Sequence, residues 1–340
     1  MKPVTDDWIA EATAIYQTYD LYHQSKTGKE QPVFNLTGKG ASPRSSVILD
    51  YFVTRIPVAD YTTALDIGCG SGAMLRALNG SSGTEHFQLF GQEPNPKNLS
   101  DLVAIDNVED IFTKDISEIS IEFDLITLIH ALEHIPNPRL FIEQVLRLCT
   151  HSGVVLIQVP HYQDNPFDLI ITDHCTHFTK ATINAVVESA GGEIVEIATN
   201  VIAKEMTVIV KKRSGELGLP RDDLWNSDLF QESREVASVM VNKLHDLQRI
   251  ISRIPANIRP IGIFGTAIAA NWAFGILGGV DFFVEDDLDR IGRSYKEAPV
   301  IPLSEVPADS TLIIPIAPES RDQILRRLAD RVDLDIVVLG

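Results

Sequence analysis

The sequence predicts an α/β fold built on a parallel, doubly wound sheet, with a smaller α/β unit after it. Residues 60–212 alternate short apolar runs with amphipathic segments of helical spacing, which is typical of strands and helices joined as βαβ units. A glycine-rich turn follows the first apolar run, at a position where such folds bind ligands. The same alternation returns over residues 256–340 and predicts the second unit.

The segment pattern divides the 340-residue chain into four parts. Residues 1–59 are expected to form a helical arm that acts as a lid, and residues 60–212 to form the main α/β domain. A linker and a helix are predicted over residues 213–255, followed by the smaller lobe over residues 256–340. In that lobe the glycines of Gly262-Ile263-Phe264-Gly265 indicate either a ligand contact or close packing, and the sequence leaves both open.

Composition and charge narrow the class of protein. The chain is 44% hydrophobic and 22% charged, so it can bury a normal core. Its net charge of −18 disfavours binding to nucleic acid, which needs clustered cations. No apolar run is long enough to cross a membrane and the N-terminus lacks a signal-peptide pattern, so a cytoplasmic protein without a membrane partner is expected. Cys69, Cys149 and Cys175 form no C-x-x-C pair, so no metal site is predicted.

The glycine-rich turn holds Gly68, Gly70 and Gly72 and follows the apolar strand segment 64–67. Without a Cβ, the backbone can turn sharply here and a ligand can lie against it. The spacing Gly68-x-Gly70-x-x-Ala73 also satisfies a dinucleotide-binding pattern. Taken alone, the turn therefore fits NAD as well as other adenosine ligands.

Three acids near predicted strand ends distinguish these ligands. Asp66 precedes the turn, Glu93 ends the second strand where an acid suits a ribose diol, and Asp115 follows a weak third strand. A carboxylate at the turn repels a pyrophosphate and attracts a sulfonium or ammonium group. Opposite charges about 4 Å apart are worth roughly 4 kcal/mol at an effective dielectric near 20. The acids thus favour S-adenosylmethionine as the cofactor.

With these motifs the chain resembles the class I S-adenosylmethionine-dependent methyltransferases over roughly residues 60–210. The resemblance rests on Asp66–Gly72, Glu93, Asp115 and Phe123–His134, in that order. It implies a Rossmann-like, seven-stranded sheet whose last strand is antiparallel. For the cofactor it implies the following contacts: Asp66, Gly68, Gly70 and Gly72 at the methionine end, Glu93 at the ribose, Asp115 with Ile116 at the adenine, and His130 beside the exit of the methyl group.

A histidine-rich stretch follows the fifth predicted strand. It includes Asp173-His174-Cys175-Thr176-His177-Phe178-Thr179 and lies near the sheet edge at which ligands bind in open α/β folds. Histidine titrates near neutral pH and suits proton removal, so His174 is a candidate base that Asp173 would orient. Thr179 is expected to cap the next helix, and His177 either packs beneath that helix or contacts a ligand.

With this stretch, the N-terminal arm and the second lobe, the chain resembles the sugar C-methyltransferases that act on nucleotide-linked keto-sugars. Their Glu-His-x-x-Tyr-Phe-Ser stretch is matched by 173–179, which implies that His174 is the general base and Asp173 its acidic neighbour. An element of their N-terminal arm falls on Tyr22-His23-Gln24-Ser25, so Tyr22 or His23 is expected to stabilise an oxyanion. Their cysteine-rich zinc module has no counterpart in this chain, and His177 stands in place of the tyrosine.

Three functions follow from these features. The first is C-methylation of a keto-sugar, nucleotide-linked or free, or of a related carbonyl compound. The second is O-methylation of a sugar, glycolipid or natural-product hydroxyl by the same base. The third is a non-catalytic protein that binds S-adenosylmethionine. In the first two the predicted partner is a small-molecule acceptor, whose identity the sequence leaves open.

Overall fold

The computed structural model describes residues 7–8, 10–11, 30, 32–34, 41–94, 96, 99–213, 224–255, 259–315 and 324–339. The chain divides into two compact units. The first comprises Met1–Asp164 and Thr172–Val236, and the second comprises Asn165–Ile171 and Ala237–Gly340. Tyr22 and His23, two of the predicted site residues, lie outside the described residues. Residues 215–220 of the predicted linker also lie outside them.

The first unit is built on a seven-stranded sheet of order β5-β4-β3-β6-β7-β9-β8. Its strands are β3 (Thr63–Ile67), β4 (Gln88–Gln92), β5 (Val108–Phe112), β6 (Phe123–Ile129), β7 (Cys149–Pro160), β8 (Gly192–Ala198) and β9 (Glu205–Lys212). Neighbouring strands run parallel except at β9, which is antiparallel to both β7 and β8. The predicted α/β class, seven-stranded sheet and antiparallel last strand are confirmed. A short antiparallel pair, β1 (Pro32–Phe34) and β2 (Ala41–Pro43), precedes this sheet.

Helices cover both faces of the sheet. They are α1 (Arg44–Val53), α2 (Ala73–Gly80), α3 (Leu99–Val103), α4 (Pro138–Leu148) and α5 (Lys180–Ser189). The buried side chains of α1, α2 and α3 belong to one apolar cluster, and those of α4 and α5 belong to another. Because successive strand residues alternate between faces, Ala64 packs in the first cluster and Leu65 in the second. Asp66 therefore shares the face of Ala64, the face that α1–α3 cover.

Specific hydrogen bonds, some local and some between residues distant in the sequence, decide where elements begin and end. Thr179 caps α5 as predicted, in a reciprocal pairing in which its hydroxyl accepts from the Thr182 N–H. The sequence predicts a helix over residues 139–150, but helix α4 ends at Leu148. Cys149 already pairs with Phe123 in the sheet, and the Thr150 hydroxyl donates to the Asp124 carboxylate at 3.1 Å. Sheet pairing thus outweighs helical propensity at these two positions.

The second unit is built on a six-stranded sheet of order β12-β13-β11-β10-β14-β15. Its strands are β10 (Ile261–Phe264), β11 (Phe282–Val284), β12 (Ser294–Tyr295), β13 (Ala298–Ile301), β14 (Thr311–Ile314) and β15 (Asp335–Val338). All neighbours are parallel except β12 and β13. Helix α6 (Ser227–Ile251) contains the division between the units, and α7 (Ile268–Leu277) joins β10 to β11. The predicted second α/β unit is confirmed.

Close packing accounts for one glycine of the second unit. A Cβ at Gly262, which lies in β10, would meet the ring of Phe282 at 2.0 Å. The parallel register places Gly262 beside Phe282 on the neighbouring strand β11. Of the two interpretations that the sequence left open for the Gly262–Gly265 segment, packing therefore explains its first glycine.

Within the described part of the chain, no helix has both the length and the apolar character needed to cross a membrane. The 25-residue α6 carries charged residues along its length, including Asp228, Arg234 and Lys243.

Candidate functional site

The glycine turn joins β3 to α2 and has a left-handed backbone at all three glycines. The φ angles are +71° at Gly68, +52° at Gly70 and +83° at Gly72, which side chains with a Cβ rarely adopt. A Cβ at Gly72 would also meet Leu102 Cδ2 at 2.7 Å, whereas a Cβ at Gly70 would have only the Gly68 carbonyl oxygen, at 4.0 Å. Packing thus requires Gly72 to be small, while the open side of Gly70 leaves room for a ligand.

Asp66 is a buried carboxyl group at the end of β3. It is 3% exposed, and the Thr127 hydroxyl, opposite it on β6, donates to its Oδ1 at 2.6 Å. Burial raises the pKa of Asp66 to about 7, since the Thr127 hydrogen bond offsets only part of that effect and the charges of Glu30 and Glu93 add to it. A cationic ligand beside this carboxyl group would favour its ionised form.

Glu93 follows β4, and Asp115 follows β5, at the same edge of the sheet. Glu93 is buried, and the Gly70 N–H donates to its Oε2 at 3.2 Å, so this acid contacts the glycine turn directly. Asp115 is exposed and caps a 3₁₀ turn, where it accepts from the Ser117 hydroxyl at 2.6 Å and from the Ser117 N–H at 2.9 Å. These bonds hold the pKa of Asp115 below its usual value. Ile116 beside it is buried in the core.

His130 leaves the end of β6 with a φ of +53°, a conformation that is uncommon for a residue other than glycine. Its Nδ1 lies 3.0 Å from Glu133 Oε1, and its Nε2 lies 3.3 Å from Glu205 Oε2. Burial lowers the pKa of His130, but the two carboxylates outweigh it and raise the value to about 9. The structure therefore places a cationic imidazole between two acids at the predicted cofactor edge.

A second group of imidazoles adjoins Glu133. The rings of His134 and His174 meet edge to face with centroids 4.7 Å apart, and His174 is 2% exposed. The segment after His174 is tied to Glu133, because the N–H groups of Cys175 and Thr176 donate to its carbonyl oxygen at 3.0 and 3.2 Å. One ligand atom from each of Glu133, His134 and His174 lies within 4.8 Å of the others. The contacts gather these side chains into one cluster.

Within this cluster, Asp173 has a partner that the sequence did not indicate. Its Oδ2 lies 3.3 Å from Nδ1 of His134, and the same nitrogen lies 3.2 Å from the Asp173 carbonyl oxygen. The sequence suggested Asp173 as the acid that orients His174. In the structure Asp173 contacts His134, whose ring in turn contacts that of His174. The predicted His177 lies further along, with its ring 5.8 Å from that of Tyr162.

Sequence reasoning missed four residues of this region: Arg44, Glu133, His134 and Glu205. Two of them, Glu133 and His134, lay inside a motif used for the resemblance. Glu205 carried its own signal, since it is an acid at the start of an otherwise buried strand, β9. Its partner Arg44, with Nη2 at 3.0 Å from Glu205 Oε1, carried none.

Comparison with known proteins agrees with this geometry. Residues 43–197 match a family model described as a methyltransferase domain. Together with the seven-stranded sheet of the first unit, this match supports a class I methyltransferase domain. The sequence predicts S-adenosylmethionine as the cofactor of this domain. The residues present fit that group, because the ligand is cationic, the acids Asp66 and Glu93 lie at the turn, and the side of Gly70 is open.

The methyltransferase domain also has similar relatives. The C-methyltransferase NovU of Streptomyces niveus is 25% identical over 163 residues, which cover 45% of this chain and 38% of that protein. A methyltransferase structure from Clostridium acetobutylicum matches with a TM-score of 0.42 and 12% identity, over 60% of this chain and 99% of that one. The plantazolicin methyltransferase BpumL, solved with S-adenosylhomocysteine, matches with a TM-score of 0.44 and 14% identity, over 61% and 93%. Nothing about the acceptor follows from these two structures.

Binding of S-adenosylhomocysteine to the methyltransferase domain is expected to tighten as the pH rises from about 6 to 8. With a pKa of about 7, Asp66 is largely protonated at the lower pH and ionised at the higher, and only the ionised form attracts the ligand's ammonium group. Asp66→Asn should abolish this pH dependence and weaken binding at pH 8 by about tenfold or more, since a hydrogen bond to a charged group contributes roughly 1.5–3 kcal/mol. Isothermal titration calorimetry at several pH values measures both.

The control for this prediction is Asp50→Asn, an exposed carboxylate on α1. It should retain the affinity and pH dependence of the unaltered protein. A dissociation constant for the unaltered protein that stays flat across this pH range would contradict the assignment of Asp66.

Proposed function

We propose that the chain methylates a carbon next to the carbonyl group of a sugar, with a nucleotide-linked keto-sugar as acceptor and His174 as general base. One observation carries this proposal: His174 is buried in a cluster with His134, Glu133 and Asp173, which begins just after β6. Removing a proton from carbon requires a positioned base, and an imidazole is the side chain best suited near neutral pH. The similarity to a C-methyltransferase over part of its length supports the same reaction.

The proposed chemistry assigns a task to each member of the cluster. His174 takes the proton from the carbon beside the carbonyl, and the electron pair of the C–H bond passes into an enediolate. When bound, the cofactor supplies an electrophilic methyl group for that carbon. Glu133 stabilises the imidazolium that forms, since the imidazoles around it outweigh its burial and hold its pKa below the usual value. Asp173 fixes the ring of His134 against that of His174. Tyr22 or His23 remains the predicted donor to the oxyanion.

Proton exchange and product analysis test this reaction directly. The unaltered protein, S-adenosylhomocysteine and a panel of nucleotide-linked keto-sugars are incubated in deuterated water, and proton NMR follows the signal beside the carbonyl. That signal should disappear faster than without protein. With S-adenosylmethionine, NMR of the product should show the new methyl group on carbon. A methyl group on oxygen would instead establish O-methylation. Cofactor binding without turnover of any keto-sugar or hydroxyl acceptor would indicate a non-catalytic protein.

Metal content gives an independent check. Two imidazoles and a carboxylate within 4.8 Å are groups that also bind divalent cations. The proposal expects His174 to keep its ring nitrogen for the proton, so the purified protein should turn over fully after exhaustive treatment with chelator. One equivalent of tightly bound metal that activity requires would contradict the role of His174 as base.

A further inference from the structure

His130 lies between two buried acids, Glu133 and Glu205. The proposed chemistry gives a role to Glu133 but none to Glu205. Its ring lies 3.0 Å from Glu133 on one side and 3.3 Å from Glu205 on the other. Its backbone N–H donates to the Gln158 carbonyl oxygen at 2.9 Å, which holds the residue at the end of β6 in its left-handed conformation. Glu133 belongs to the cluster around His174, whereas Glu205 starts β9 and has no place in the steps described above.

Besides His130, the side chains of Arg44 and Gln158 hold Glu205 in place. Arg44, the first residue of α1, lies 3.0 Å from its Oε1. The Gln158 side-chain amide donates to its Oε2 at 2.7 Å, and the Thr207 hydroxyl donates to the Gln158 amide oxygen at 2.6 Å. A carboxylate that is 8% exposed is costly to bury unless it is paired and hydrogen-bonded. So many fixed partners make Glu205 a rigid support for the imidazole that it contacts.

We infer that Glu205 is a positioning residue: by holding His130 against Glu133, it fixes the Glu133 carboxylate beside His134 and His174 and so sets the orientation in which His174 removes its proton. The inference rests on the proposed function of this site. The alternating series of Arg44, Glu205, His130 and Glu133 links the start of α1 to the reacting cluster through four adjacent side chains.

The electrostatics of the series agree with its geometry. Burial by itself would raise the pKa of Glu205, but Arg44, His130 and Gln158 hold it at about 2. The acids that face His130 are Glu205, from β9, and Glu133, from its own loop, and together they raise its pKa to about 9. His130 therefore stays cationic over the neutral pH range and keeps both contacts. Without Glu205, one of the two carboxylates that hold the proton on His130 is gone.

A Glu205→Gln variant tests the inference in the full chain. Ring-labelled histidine and NMR follow the titration of His130, whose midpoint should fall from about 9 toward the ordinary histidine value of about 6.5. Deuterium exchange at the keto-sugar should slow by about tenfold or more at neutral pH, because small displacements of a reacting group are enough for such losses. The dissociation constant of S-adenosylhomocysteine should stay unchanged, which a general loss of structure would not allow.

Glu196→Gln is the matched control. Glu196 also joins α1 to the sheet, since it accepts from the Tyr51 hydroxyl at 2.6 Å and lies 3.4 Å from Arg55 Nε. Its substitution should leave the His130 titration and the exchange rate unaltered. Should Glu205→Gln not fold, Arg44→Gln removes the cation that holds Glu205 and leaves the carboxylate beside His130. The His130 midpoint should then stay near 9 or rise, while the less firmly held Glu205 should slow the exchange.

Two results would overturn the inference: a His130 midpoint that Glu205→Gln leaves unmoved, or a moved midpoint with an unaltered exchange rate. Failure of the proposed function is distinguishable from both. In that case the unaltered protein exchanges no proton with any keto-sugar, while the His130 titration still responds to Glu205→Gln.

Discussion

His174→Ala is expected to slow proton exchange and methyl transfer severely while leaving cofactor binding intact. A positioned general base contributes about 10²- to 10⁴-fold to the rate, and the variant should lose an amount in that range. The His174 side chain is 2% exposed and belongs to the cluster with Glu133 and His134, not to the glycine turn. The affinity for S-adenosylhomocysteine should therefore change little. Exchange in deuterated water measures the loss before methyl transfer, and calorimetry measures the binding.

The neighbouring imidazole makes this experiment more specific. His134→Ala removes the ring that Asp173 holds and that contacts His174, so a smaller loss is expected from the altered orientation alone. If His134→Ala abolishes exchange while His174→Ala spares it, the base is His134. His86→Ala is the control. His86 lies before the start of β4, with its Nε2 2.8 Å from the Tyr61 carbonyl oxygen, whereas the site follows the other ends of the strands. It should exchange the proton at the normal rate.

The fold could be predicted because its signals are local. Buried strands such as Phe123–Ile129 are mostly continuous apolar runs. The glycines of the turn at 68–72 indicate its left-handed backbone directly, because few other residues adopt positive φ angles. The ends of elements were less predictable, because they depend on partners distant in the sequence. Cys149 is extended because it pairs with Phe123, a contact that no helical pattern around Cys149 encodes.

The site likewise has a part that the sequence predicts and a part that only the tertiary fold reveals. Asp66 and Glu93 were predicted from their positions next to strand ends, and the structure brings Glu93 to the N–H of Gly70. The partnership of Asp173 with His134, in contrast, joins two loops through the tertiary fold. Glu205 reaches His130 only because β9 returns antiparallel beside β7. Spacing in the sequence identified single residues with suitable chemistry, whereas the pairs among them required the topology.

Glu93→Gln is expected to weaken binding of S-adenosylhomocysteine by about 100-fold, through the loss of two charge-assisted hydrogen bonds of roughly 1.5–3 kcal/mol each, partly offset by the remaining amide. The carboxylate lies at the end of β4, is 4% exposed and accepts from the Gly70 N–H at 3.2 Å. From this position it is expected to accept both ribose hydroxyls. The amide that replaces it has one acceptor oxygen and turns a donor toward the second hydroxyl or toward Gly70, which also donates. Calorimetry measures the change in affinity.

Glu85→Gln separates this effect from a general loss of stability. Glu85 likewise accepts from a glycine N–H, that of Gly83, but it is exposed and precedes β4, whereas Glu93 follows it. Its substitution should leave the dissociation constant unchanged. Because removing Glu93 also removes a neighbouring negative charge, the pKa of Asp66 should fall in Glu93→Gln, and the pH dependence of binding should move to lower pH. Equal affinities of Glu93→Gln and Glu85→Gln would show that Glu93 does not hold the ribose. A lowered affinity with an unchanged pH dependence would support the ribose contact of Glu93 but contradict its effect on the pKa of Asp66.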